Sequence, residues 1–337
     1  MTNFYLRIAH WYEQNARNLP WRETKNPYFI WLSEIILQQT RIEQGTKYYL
    51  KFIKNYPTIN DLANADEEQI LNDWQGLGDY SRARNLHSSA KYVRDELSGN
   101  FPSSFDEIIK LKGVGTYTAS AISSFAFNER KAVVDGNVYR FLSRLFDIRT
   151  PIDTALGQKE FQEIADELIS ESNPSTHNQA MMEIGSLICR PKQPICLECP
   201  VADHCLALEN NTINIRPIKS KKTKVTDRFF HFLLYNEDNY TFIEKRTTSG
   251  IWQNMYQFPL IETETNDSEK EQFIWQNQTT ESKKVIHKLS HQTIHAIFHH
   301  IEGFPKEINK KWIKINRENI QDYPLPRIID RYLEENS

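Results

Sequence analysis

All four cysteines of this 337-residue chain, Cys189, Cys196, Cys199 and Cys205, fall within one short stretch. That confinement leaves none for a spread disulfide framework. In a chain that opens without the long apolar run of a secretory signal, it points instead to a bound metal. Pro191, Pro194 and Pro200 stiffen the same stretch and hold it open around a centre. Four thiolates suit either a zinc ion or an iron-sulfur cluster. The six residues between Cys189 and Cys196 exceed the short knuckles of most structural zinc sites, which favours iron, but spacing alone leaves both open.

At roughly 150 residues per domain the length suggests two domains. Up to residue 207 the apolar spacing is helical: Val138, Phe141, Leu142, Leu145 and Phe146 line one face, and Ile30, Ile35, Ile36 and Leu37 mark another helix, expected over Trp31–Thr40. Residues 208–225 are polar, carry Pro217, Lys219, Lys221, Lys222 and Lys224, and read as a solvated linker. From 226 to 337 short β-branched and aromatic runs (Phe229 to Tyr235, Tyr240 to Ile243, Ile294 to Ile301) precede a helix from Pro326 to Leu333, giving an α+β domain. The acidic stretch Glu262 to Glu271 reads as a loop, and no internal repeat is visible.

Charge is nearly balanced, at a formal −3, so composition shows no basic excess of the kind that nucleic-acid binding usually brings. Charged residues interrupt every apolar stretch well short of the ~20 needed to span a bilayer. We expect a cytosolic protein that does not engage a membrane.

Three local patterns carry chemistry. Gly113-Val114-Gly115, between a helical run and the small residues Ala119 to Ser124, permits a tight backbone and a helix start whose N–H groups can hold a phosphate; a helix-hairpin-helix and a plain helix-helix turn both fit it. Asp135 follows Ala132-Val133-Val134 and opens the stripe that begins at Val138, the position of an N-cap. Glu34 sits among Trp31, Leu32, Ile35 and Ile36. It is either a partly exposed surface group or a carboxyl whose pKa is raised by desolvation, as a general acid requires.

Taken together these features resemble the MutY-type adenine DNA glycosylases, helix-hairpin-helix enzymes with an iron-sulfur cluster and a Nudix-like second domain. The resemblance rests on Leu19-Pro20-Trp21-Arg22, Glu34 to Thr40, Gly76-Leu77-Gly78 with Tyr80 to Arg84, and Gly113-Val114-Gly115 with Tyr117. It continues through Val134 to Val138, Asn178-Gln179-Ala180, the cysteine loop, Gly250-Ile251-Trp252, Phe258-Pro259 and Leu289-Ser290-His291, covering nearly the whole chain.

The resemblance implies an all-α glycosylase domain at 1–207 that includes the cluster loop, and a Nudix-like domain at 226–337. It implies a base-excision repair enzyme that flips adenine out of the duplex where it is paired with 8-oxoguanine or guanine and hydrolyses its N-glycosidic bond. Glu34 would protonate the base, and Asp135 would face the oxocarbenium-like sugar with Tyr117 and Asn137 positioning it. Arg22, Gln39, Thr40, Leu77, Gly113, Gly115 and Gln179 would contact DNA or the base, and Ser290 and His291 the oxidised partner. Cys189, Cys196, Cys199 and Cys205 would hold a 4Fe-4S cluster. Tyr117 stands where the endonuclease III type has a Schiff-base lysine, implying little or no lyase chemistry. A monomer acting on double-stranded DNA at a bacterial nucleoid is expected. Asp79, Lys112 and Leu289 depart from the usual aromatic, Pro and Phe, and no G-x5-E-x7-R-E-x2-E-E segment occurs, so the second domain should bind without hydrolysing.

Overall fold

A computed structural model describes residues 2–170, 173–220, 225–264, 279–289, 291–303 and 308–336. By contacts the chain forms two units, Met1–Asn64 with Ser88–Lys221, and Ala65–His87 with Lys222–Ser337.

The first unit is helical. Its helices are α1 (Thr2–Asn15), α2 (Pro27–Ile36), α3 (Ile42–Asn55) and α4 (Ile59–Asn64); α5 (Glu67–Trp74) belongs to the second unit, and α6 (Tyr80–Glu96) spans the division. There follow α7 (Phe105–Ile108), α8 (Thr116–Phe127), α9 (Gly136–Leu145), α10 (Ala155–Leu168), α11 (Pro174–Leu187) and the short α12 (Leu206–Glu209). Side chains placed for the purpose start several of them. Asn26 accepts from Tyr28 N, Thr154 from Gly157 N and Asn173 from Thr176 N, while Pro27 and Pro174 occupy first-turn positions where no amide hydrogen is needed. The apolar stripe of α9 buries Val138, Phe141, Leu142 and Leu145 against Ile8, Phe161, Met181, Ile184 and Val201, and Cys189, Cys199 and Cys205 pack onto the same core. Among the described residues no helix is long and apolar enough to cross a membrane.

The second unit holds two sheets. One has the order β4-β1-β6-β5, built from β1 (Thr226–Asn236), β4 (Leu260–Thr263), β5 (Thr279–Lys288) and β6 (Gln292–Glu302). β1 runs parallel to β6, pairing Thr226 with Gln292 through Asn236 with Glu302, while the outer pairings are antiparallel. The other sheet places β2 (Tyr240–Lys245) between β3 (Tyr256–Gln257) and β7 (Trp312–Asn316). The last helix, α13 (Arg327–Glu334), stacks Tyr332 on Phe298 of β6 with ring centroids 3.8 Å apart. The helical first domain and the sheet-containing second domain are as the sequence implied.

Three expectations need correction. The linker does not begin at residue 208. Thr212 and Asn210 donate to Asp147, the buried Arg216 pairs with the same carboxylate at 2.8 Å, and Ile152 N donates to Ile218 O, so the chain as far as Ser220 is packed on the helical unit. Of the lysines taken as linker, Lys221, Lys222 and Lys224 lie outside the described residues. Glu262 is not in a loop but in β4, paired with Phe230 and ion-paired to Arg228 at 2.6 Å. The α2 helix stops at Ile36 rather than Thr40, because Leu37 closes it onto Ser33 O and Gln39 then takes a left-handed φ of 55°.

Residues 65–87, which the sequence assigned to the first domain, group with the second unit. Glu68 accepts from Lys245 Nζ and Tyr256 Oη, Asn72 donates to Asp322 O and Arg84 to Gln253 O.

Candidate active site

The α2 helix is buried from Ile30 to Ile36, and Glu34 is carried inside with its apolar neighbours, at 8% exposure. Burial pushes its carboxyl up to about 7; the neighbouring Tyr117 hydroxyl and the Arg22 charge oppose the rise, and the Asp135 charge adds to it. Tyr117 is the second residue of α8, and burial beside two carboxyl groups raises its own pKa, so the phenol stays protonated.

Asp135 caps α9. One carboxylate oxygen accepts from Val138 N at 2.7 Å and Asn137 N at 2.9 Å, and the other from Asn137 Nδ2 at 2.7 Å. Burial raises its pKa, and these bonds, with the Arg140 charge, work in the opposite direction. Asn137 is fixed from its other end, because Arg140 Nη2 donates to its Oδ1 at 2.9 Å. The same guanidinium donates to Gly185 O and Cys189 O, each at 2.6 Å. Gly185 permits this closeness: a Cβ there would lie 2.7 Å from Asn137 O.

Beside Glu34 a recess is lined by Trp21, Arg22, Ser33, Gln179 and Met182 among others. Sequence reasoning missed the carboxylate behind it. Glu183, 1% exposed, takes both Arg22 (2.7 Å) and Arg17 (2.7 Å). Burial alone would raise its pKa, but the hydrogen bonds from the two guanidinium groups outweigh that and hold it down at about 2. A lone acid in the run Met181-Met182-Glu183-Ile184 was the available signal. Gln179 accepts from Tyr12 Oη at 2.9 Å and donates to Ser175 Oγ at 3.2 Å. An acid that holds its proton near neutrality, a second carboxyl group whose charge acts on it and a recess with fixed polar walls are the parts needed to protonate a leaving group and to stabilise the cation left behind.

The other expected contacts are distributed around this centre. Gln39 is exposed and Thr40 half-buried in the turn after α2. Gly113, with φ of 80°, and Gly115 are exposed, and no side chain caps α8, which Gly115 begins. In the second unit Leu77 is buried between Gly76 and Gly78, both at positive φ, instead of standing out from the surface. His291 is exposed in the turn joining β5 to β6, where its carbonyl accepts from Thr226 N. Ser290 lies outside the described residues.

The four cysteines line one recess with Phe141, Leu145, Ile188 and Val201. Arg144, 3% exposed, lies against it, donating to Cys189 Sγ at 3.4 Å, Arg190 O at 2.7 Å, Pro191 O at 3.2 Å and Ile213 O at 3.1 Å. Burial pushes the Cys199 thiol up to about 11 and raises Cys196 and Cys205, the neighbouring cysteines adding to the effect, so four thiolates would coexist here only around a cation. Among the described residues no three His, Cys, Asp or Glu side chains converge on a point that would hold one ion. A set of four thiolate donors suits either a zinc ion or an iron-sulfur group.

Residues 32–167 match the family model of the HhH-GPD superfamily base excision DNA repair protein, and residues 230–335 match that of the NUDIX domain. The adenine DNA glycosylase of Buchnera aphidicola subsp. Baizongia pistaciae is 38% identical over 341 residues, covering 96% of this chain and 94% of that protein. A solved thermostable thymine-DNA glycosylase superposes with a TM-score of 0.57 at 29% identity, over 61% of this chain and 95% of that one. Endonuclease III trapped covalently on DNA gives a TM-score of 0.54 at 24% identity, over 61% of this chain and 94% of that one, a likeness of fold.

Proposed function

This chain belongs to the MutY-type adenine DNA glycosylases, and on that premise we propose that it excises adenine paired with 8-oxoguanine or guanine in double-stranded DNA, as a monomer in the cytosol. The observation that carries the reading is Glu34, buried, with its pKa raised to about 7, in a site that also feels Tyr117 and the Asp135 charge.

Adenine, flipped into the cavity, leaves as a neutral base once its N7 takes the Glu34 proton. Breaking the N-glycosidic bond puts positive charge on the sugar, and Asp135, with its bonds from Asn137 and Val138, provides the facing negative charge. Water completes the hydrolysis. Arg22 and Gln179 line the pocket that receives the base. Gln39 and Thr40 engage the opened duplex and Gly113 and Gly115 its phosphates. Tyr117 offers no amine for an imine, so the reaction stops at the abasic site.

Cys189, Cys196, Cys199 and Cys205 would hold a 4Fe-4S cluster, which when bound organises the loop. Ser290 and His291 would read the oxidised base from the second domain.

The test is a gel assay on duplexes with adenine opposite 8-oxoguanine, opposite guanine and opposite thymine. Cleavage appearing only after alkali, and fastest opposite 8-oxoguanine, is the expected result. Strand breaks without alkali, or equal rates for all three, would overturn it.

A further inference from the structure

The segment that delivers Asp135 to the site, residues 130–134, lies in no helix and belongs to neither sheet. Ala132, Val133 and Val134 are buried, so its backbone groups need partners other than water. Asn178, in α11 and 2% exposed, supplies two of them: Oδ1 accepts from Val133 N at 3.0 Å and Nδ2 donates to Lys131 O at 2.8 Å. A carbonyl and an amide two residues apart on one edge are what a neighbouring strand would satisfy. Here one carboxamide does so. Its second N–H goes to Ser124 Oγ at 2.8 Å, on α8, the helix that carries Tyr117. One side chain therefore joins the helix of Tyr117, the approach to Asp135 and the helix of Glu183 and Gln179.

We propose that Asn178 is a positioning residue for the excision chemistry: its carboxamide stands in for a missing strand beside residues 131–133 and fixes Asp135 in place against Tyr117 and Glu34.

The proposal rests on the glycosylase reading above. Asp135 is five residues or fewer from both tethered backbone groups, so freeing the segment lets the carboxylate slip from Asn137 N and Val138 N. The charged and titratable groups that act on it are Glu34 from α2, Tyr117 from α8 and Arg140 on its own helix, and Asn178 touches none of them. Losing the two amide bonds leaves burial to raise the Asp135 carboxyl further.

The experiment compares wild type, Asn178→Leu and Asn178→Asp as full chains, measuring single-turnover adenine release from pH 5 to 9, duplex affinity and thermal unfolding. Asn178→Leu keeps the volume and removes all three bonds, whereas Asn178→Asp keeps the acceptor for Val133 N. The expected result is release slower by about 10- to 100-fold in the Leu variant, with duplex affinity within about threefold of wild type. The acid limb of its pH profile moves upward while the alkaline limb stays, and the Asp variant falls between the two. If the Leu variant does not fold, the same limb shift is required of the Asp variant. Release that falls only in proportion to the folded fraction, or a profile with both limbs unmoved, overturns the proposal. A wild type that releases no adenine overturns the glycosylase reading itself, a separate outcome.

Discussion

Arg140 holds Asn137 and the cysteine loop at once: its Nη2 is 2.9 Å from Asn137 Oδ1 and its Nε is 2.6 Å from Cys189 O. The Asn137 amide, pinned at its oxygen, has its nitrogen left facing Asp135 at 2.7 Å. The orientation of the candidate carboxylate is thus coupled to the backbone of the first cysteine through a single guanidinium.

Arg140→Gln should therefore slow adenine release by about 10- to 100-fold, the range typical when a partner that orients a functional group is removed. Single-turnover rates at saturating enzyme report it. Gly185→Ala should act in the same direction, because the added methyl would displace Asn137 backbone. Release at the wild-type rate by both variants would show that Asn137 needs neither support.

Glu34→Gln should abolish adenine release, by ~10²-fold or more, and leave duplex binding intact. Wild-type release should fall as pH rises through about 7, where the acid gives up its proton.

A stability difference follows from the same burial. The carboxyl is raised in the folded chain from an ordinary 4.5 to about 7, so folding favours its protonated form. Below 4.5 wild type and Glu34→Gln should unfold alike in this respect. Between 4.5 and 7 wild type loses stability that the variant keeps, a gap on the order of 3 kcal/mol above pH 7. Thermal unfolding of both proteins at pH 4 and pH 8 checks it.

Protein purified without oxygen should be brown and contain about four irons per chain. Cys199→Ser should reduce iron content and duplex affinity more than it slows release by the protein that remains loaded, since the thiolates supply no proton to the reaction. Stoichiometric zinc in place of iron would reverse the assignment.

His291→Ala should reduce the preference for 8-oxoguanine over guanine by a few-fold, the effect of a hydrogen bond worth ~1 kcal/mol, and Ser290→Ala combined with it should reduce the preference further. The ratio of excision rates on the two duplexes is the measurement. An unchanged ratio in the double variant would move recognition of the partner base out of the second domain.

Periodicity read α9 correctly because Val138, Phe141, Leu142 and Leu145 bury one regular face, and β1 was legible as a short aromatic-rich run because the strand is buried on both faces from Phe230 to Tyr235. Asp135 was legible as a cap, since its position relative to that stripe leaves few alternatives. Glu183 was not, because a buried acid looks like any other acid until Arg17 and Arg22, more than 160 residues away, are seen to reach it. The packed end of the linker escaped for the same reason: Arg216 finds Asp147 across 69 positions, and nothing local announces the pair. Leu77 shows the converse. Its motif was plain, but whether the side chain stands out or turns in depends on Gly76 and Gly78 at φ of 99° and 69°, a conformation that composition permits without dictating.

On the proposed mechanism Asp135 would do two jobs with the same oxygens, opening a helix and facing a developing cation. An asparagine in its place would still accept from Val138 N and begin α9, so the architecture would survive the change while the charge would be gone. Helix initiation and charge are therefore separable at this position: the substitution would cost the Asn137 amide its acceptor, since Arg140 keeps that amide from turning over, and would leave the first turn of α9 with its cap.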